Sequence, residues 1–121
     1  MQRPFRLVLI HNDPELADPL VAFLQDEGYR VTHSSDGVDG LNLVRRTQPD
    51  LIILDADLPG IDGITLAAEI APRGVPVIFL TGDYERAGVE GREFAADILI
   101  KPISVPAFLN SVTSVLRTKV E

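Results

Sequence analysis

The sequence predicts an α/β domain built on a five-stranded parallel sheet with helices on both faces, and three observations carry that expectation. Short, β-branched apolar runs with little polar alternation recur along the chain, residues 51–54 being the clearest, as strands buried on both faces require. Segments with apolar residues at helical spacing separate those runs, the pattern of a crossover-connected parallel sheet. No glycine-rich dinucleotide loop follows the first run, which favours the strand order 2-1-3-4-5 over the dinucleotide-binding order. A chain of 121 residues is the size of one domain, so residues 1–121 are expected to form a single domain with no second domain present among them.

Each element has its own local reason. Residues 5–10 read as the first strand. Asp13-Pro14 reads as an N-cap with proline at the first helical position; Leu16, Leu20, Phe23 and Leu24 follow at helical spacing until Gly28 closes the helix. Pro19 either kinks that helix or moves its start to Asp18. Residues 29–32 form a short second strand, and Asp36 caps a helix carrying Val38, Leu41 and Val44. The central strand ends in Asp55, and Pro59-Gly60 turns the chain into a short helix over 64–71, stopped by Pro72. A fourth strand covers 75–80. The helix over 83–94 is interrupted by Gly88 and Gly91, at about 1 kcal/mol each relative to alanine, and should be short, frayed or mobile. Residues 97–100 make the fifth strand. Ser104 caps a last helix with an apolar stripe of Val105, Phe108, Leu109, Val112, Val115 and Leu116.

Composition narrows the function. No apolar run approaches the ~20 residues that span a bilayer and no signal segment precedes the first strand, so no membrane partner and a cytoplasmic location are expected. The chain has no cysteine, which removes disulfides and thiolate metal sites. A formal charge of −7 argues against a duplex-binding surface, and no nucleic-acid partner is expected.

Open parallel sheets hold ligands outside the carboxyl ends of their strands, where the strand order reverses. In the flavodoxin-like order 2-1-3-4-5 that crevice lies between strands one and three, which brings His11-Asn12-Asp13 beside Asp55. Strand four delivers Thr81 followed by Gly82, and strand five delivers Lys101. A carboxylate, a hydroxyl and an ammonium are the parts needed to hold a phosphoryl group and offset its charge. Singly, each has a duller reading: Asp13 and Thr81 as helix caps, Lys101 as a solvated loop residue. Four strand ends converging on one place make coincidence a poor explanation.

Leu54-Asp55, Leu58-Pro59-Gly60, Asp62-Gly63, the run from Pro76 to Thr81-Gly82, and Lys101-Pro102 together resemble the receiver domain of bacterial two-component response regulators, over essentially the full length. The resemblance implies that a sensor histidine kinase or phosphotransfer protein passes a phosphoryl group to Asp55 with Mg²⁺. It implies that Thr81 hydrogen-bonds the phosphoryl oxygen, that Lys101 pairs with it, and that Lys101–Pro102 is a cis peptide. Asn12, Asp55 and the backbone carbonyl of Asp57 become the candidate metal ligands, oxygen donors of the kind Mg²⁺ prefers. It further implies a downstream protein target on the fourth-helix, fifth-strand and fifth-helix face, and no turnover activity. The last helix could support a homodimer, although packing on its own sheet explains its stripe.

Two departures qualify the resemblance. The family ends strand one with two adjacent acids that hold the metal, where this chain has His11 and Asn12. One lost unit charge at ~4 Å and an effective dielectric near 20 is worth at most about 4 kcal/mol, and after screening roughly 1–3 kcal/mol, a ten- to hundred-fold loss of metal affinity. Asp57 and Asp83 could restore part of that negative potential. The family also often places an inward-swinging aromatic three residues before the lysine; here that position is Ile98, with fewer rotamers and no ring. A pseudo-receiver that binds proteins with little or no phosphotransfer is therefore the alternative. Asp55-Ala-Asp57 also superficially matches the Asp-x-Asp of haloacid-dehalogenase-like phosphatases, but that motif should follow a first strand and the chain has no residues for a cap domain.

Overall fold

Residues 3–120 are described by the computed structural model. Strands β1 (Arg6–Ile10), β2 (Arg30–Ser34), β3 (Leu51–Asp55), β4 (Val77–Thr81) and β5 (Asp97–Ile100) alternate with helices α1 (Pro14–Asp26), α2 (Gly37–Thr47), α3 (Gly63–Ile70), α4 (Tyr84–Glu90) and α5 (Val105–Val120). All strands are parallel and the order is β2-β1-β3-β4-β5, as the sequence predicts.

The sheet separates two apolar layers because successive residues of a strand point to opposite faces. Val8, Ile10, Ile52, Leu54, Val77 and Phe79 pack under α2 and α3. Leu7, Leu9, Leu51, Ile53, Ile78 and Leu80 pack under α1 and α5. Every residue of β3 and β4 is buried, which fixes the register of the two strands that end in Asp55 and Thr81. The α5 stripe is spent on this second layer, where Phe108, Val112 and Leu116 are buried.

Caps position the helices. Asp13 accepts from the Glu15 amide and Asp36 from the Val38 and Asp39 amides. The Ser104 hydroxyl accepts from Ala107 at 3.4 Å. Helix α1 ends in a Schellman motif: the Gly28 amide donates to Gln25 and the Tyr29 amide to Leu24, with Gly28 at φ +93°. Pro19 does not delay α1; the helix runs through it from Pro14. Pro19 and Glu15 are both exposed, so water can satisfy the Glu15 carbonyl that the proline leaves unpaired.

Other boundaries move by one to four residues. β2 extends to Ser34 because its ladder with β1 continues to the Ile10–Ser34 pair, beyond the apolar letters that suggested 29–32. Helix α4 is short, as its glycines imply: Gly88 lies inside it, Gly91 ends it, and a separate 3₁₀ turn follows at Arg92–Phe94. Pro72 sits in a 3₁₀ turn, Ala71–Arg73, that extends α3 instead of stopping it dead. Among the described residues, no helix is long and apolar enough to cross a membrane.

Candidate functional site at the carboxyl ends of the strands

Asp55, at the end of β3, is 1% exposed. Its Oδ1 accepts from the Asp57 amide at 2.8 Å and from Lys101 Nζ at 3.1 Å. Lys101 follows β5 at a cis peptide to Pro102, and its backbone is tied to β4 by a 2.8 Å bond to the Thr81 carbonyl. Lys101 and Asp55 therefore meet as expected.

The local backbone is held from below. Gly63, the first residue of α3, lies so close to the loop that a Cβ there would stand 2.2 Å from the Asp55 carbonyl oxygen and 2.6 Å from Ala56 Cα. Its neighbour Asp62 caps α3 by accepting from the Thr65 amide. The Asp62-Gly63 pair thus seats the loop after β3 directly on a helix start.

His11 is the other buried partner. Its Nε2 lies 3.4 Å from Asp55 Oδ2, and both side chains are 2% exposed. The Asp13 amide donates to Nδ1 at 3.0 Å, so Nδ1 carries a lone pair and the proton of the neutral ring sits on Nε2. That proton faces Asp55, although its alignment falls short of a hydrogen bond. Burial pushes the His11 pKa below its ordinary value; Asp55 pulls it back up and Lys101 reinforces the fall. A neutral imidazole therefore stands where the family places a metal-binding acid.

Asn12 is exposed, and among the described residues no hydrogen bond or ion pair joins its side chain to this cluster. Asp83 is a helix cap, accepting from the Arg86 amide at 3.0 Å. Asp13, likewise, spends its carboxylate on α1.

The feature that sequence reasoning missed is the Asp57 side chain. The sequence suggested its carbonyl as a metal ligand and its charge as a partial substitute for the missing acid; its carboxylate instead turns toward β4. Asp57 Oδ2 accepts from the Gly82 amide at 3.0 Å, and the Thr81 hydroxyl lies 3.3 and 3.4 Å from the two oxygens. Lys101 Nζ is 3.8 Å from Oδ2. Thr81, 1% exposed, joins the cluster through Asp57 and also accepts from the Asp83 amide at 2.9 Å. Arg86, on α4, was missed too. It bonds Asp62, lies 3.3 Å from Glu90 and 3.7 Å from Asp57 Oδ1, and its hydrogen bond to Asp62 raises its pKa further. Only its pairing with Glu90, four residues on, was readable beforehand.

The donors available to a cation were tested against Mg²⁺, which demands oxygen ligands in near-octahedral array. Among the described residues, no group of three histidine, aspartate or glutamate side chains is arranged to hold a metal. Asp55 Oδ2 faces an N–H, Asn12 brings no charge, and Lys101 lies within 4 Å of both Asp55 and Asp57. These residues fit Mg²⁺ poorly.

Comparison with known proteins agrees with the fold and the motifs. The family model of the response regulator receiver domain matches residues 7–113, and the chain belongs to that family. It is similar to the DNA-binding response regulator MtrA of Mycolicibacterium smegmatis, 35% identical over 115 residues, 93% of this chain and 50% of that protein. Among solved structures it resembles the non-phosphorylated HemR receiver domain of Leptospira biflexa at TM-score 0.86 and 31% identity, covering 93% of this chain and 94% of the other. It also resembles the receiver domain of the sensor histidine kinase PA1611 from Pseudomonas aeruginosa at TM-score 0.84 and 26% identity, covering 93% and 98%; that structure has a magnesium ion coordinated in its active-site cleft.

The chain spans about half the length of the relatives it matches. Those relatives are transcriptional regulators, MtrA being named as DNA-binding, and this corrects the expectation that nucleic acid is no partner. The inference failed physically because the charge of −7 belongs to these 121 residues alone. It carries no information about surfaces that relatives build from the other half of their length.

Proposed function

We propose that this receiver domain accepts a phosphoryl group on Asp55 from the phosphohistidine of a sensor histidine kinase or phosphotransfer protein. The bond from phosphorus to the donor nitrogen breaks as one forms to an Asp55 carboxylate oxygen, leaving an acyl phosphate. The observation that carries this reading is the ammonium of Lys101, 3.1 Å from a carboxylate that is 1% exposed at the end of the central strand. A buried carboxylate held by a lysine is poised to have added negative charge offset. The Thr81 hydroxyl and Gly82 amide supply donors at the same mouth. The role is that of a phosphoacceptor, not of a turnover enzyme, and the names of the relatives point to control of transcription as the output.

Magnesium affinity in this chain is weakened relative to a two-acid site, and no step of the transfer is assigned to the metal. A second reading, a receiver fold used for protein binding without phosphotransfer, is favoured by one observation: the neutral His11 in place of an acid. Incubation with acetyl phosphate and Mg²⁺, followed by intact mass, separates the two. A one-phosphoryl adduct that vanishes in Asp55→Ala supports transfer; no adduct at any Mg²⁺ concentration supports the binding module.

A further inference from the structure

We propose that the Asp57 carboxylate is a built-in competitor for the anion seat beside Asp55, so that charge at position 57 sets how readily the cradle admits a phosphoryl group. The inference rests on the phosphoacceptor reading only for the identity of the incoming anion.

At the mouth of the site Asp57 gathers the Gly82 amide and the Thr81 hydroxyl, while the Lys101 ammonium bonds Asp55 and stands close by. The Gly82 amide donates to Oδ2 at 3.0 Å, the Thr81 hydroxyl lies 3.3 Å from the same oxygen, and Lys101 Nζ lies 3.8 Å away. Arg86 adds a guanidinium 3.7 Å from Oδ1, held in place by Asp62 and Glu90. A carboxylate ringed by an amide, a hydroxyl and two cations is an occupied anion site.

A phosphoryl group attached to Asp55 needs these same donors. Two anions cannot share them a few ångströms apart without mutual repulsion, so one must leave. Asp55 is 2% exposed and fixed at a strand end, whereas the Asp57 side chain is 35% exposed and borders solvent. The displaced group is therefore Asp57. Its departure removes one of the acceptors of the Thr81 hydroxyl, the Asp83 carbonyl at 3.2 Å being the other, and breaks the tie to Arg86 on α4, which couples arrival of the anion to that helix.

The test uses Asp57→Asn, close in shape, and Asp57→Ala, which empties the seat, both with the backbone amides intact. Inorganic phosphate is titrated in EDTA at constant ionic strength while the Gly82 amide is followed by NMR, and acetyl phosphate uptake is then followed by intact mass. Phosphate should bind about tenfold tighter in both variants, the effect of removing one like charge near a protein surface. In the ligand-free state, the Gly82 amide resonance should shift as its carboxylate acceptor is lost. Unchanged phosphate affinity in both variants overturns the proposal, and the phosphoacceptor reading still stands if the wild type forms an adduct. Tighter phosphate binding with no adduct on any protein leaves the competitor in place and removes the phosphoacceptor reading instead.

Discussion

His11 Nε2 and Asp55 Oδ2 face each other across 3.4 Å in a setting where each side chain is 2% exposed. A neutral ring is favoured there because burial disfavours its charged form and its Nδ1 takes the Asp13 amide. His11→Asp replaces that ring with a second buried carboxylate. Without metal, it should lower stability by on the order of 2–4 kcal/mol, because two close carboxylates cannot both ionise cheaply. Millimolar Mg²⁺ should recover most of the loss. Thermal melts with EDTA and with Mg²⁺ check this, and equal stability of variant and wild type in EDTA contradicts it.

Asn12→Asp adds one unit of negative charge at the end of β1. Magnesium affinity measured by calorimetry should rise about ten- to hundred-fold, corresponding to roughly 1–3 kcal/mol of screened attraction. If affinity does not move, Asn12 is not beside the metal position.

The Lys101–Asp55 pair should be thermodynamically coupled, since removing one partner leaves the other charge without its counter-ion at a nearly buried site. A double-mutant cycle of Lys101→Met and Asp55→Asn, read by urea unfolding at pH 7, should give a coupling of about 1–3 kcal/mol. Additive effects, with no coupling, would show that the observed 3.1 Å contact contributes little.

Gly63→Ala tests the seat of the loop after Asp55. Its Cβ would meet backbone atoms of Asp55 and Ala56, which cannot yield as a flexible side chain can. A loss of about 1–3 kcal/mol in chemical denaturation is expected, with slower phosphoryl uptake because the Asp55 carbonyl must shift. Wild-type stability and uptake would mean the loop is looser than its packing indicates.

What could be read in advance follows from where the physics is local. Strands buried on both faces announce themselves as apolar runs, so β3, β4 and β5 were placed to within two residues of their ends. Caps such as Asp13, Asp36 and Ser104 are chain-local hydrogen bonds and were legible for the same reason. β2 was cut short because its second half, Thr32-His33-Ser34, is specified by pairing with β1 and not by its own letters. The convergence of Asp55 with Lys101 followed from strand order alone. The Asp57 carboxylate and Arg86 could not be placed that way: both owe their positions to contacts 24 residues or more apart in sequence. The charge argument against nucleic acid failed because net charge is a property of the segment counted.

The most direct test asks whether phosphorus becomes covalently bound to a single side chain. After treatment with acetyl phosphate and Mg²⁺, borohydride reduction converts an acyl phosphate on aspartate to homoserine, and peptide mass spectrometry then locates it. The account predicts homoserine at position 55 alone, lost in Asp55→Asn. Homoserine at another aspartate, or at none while a known receiver domain labels in parallel, would contradict it.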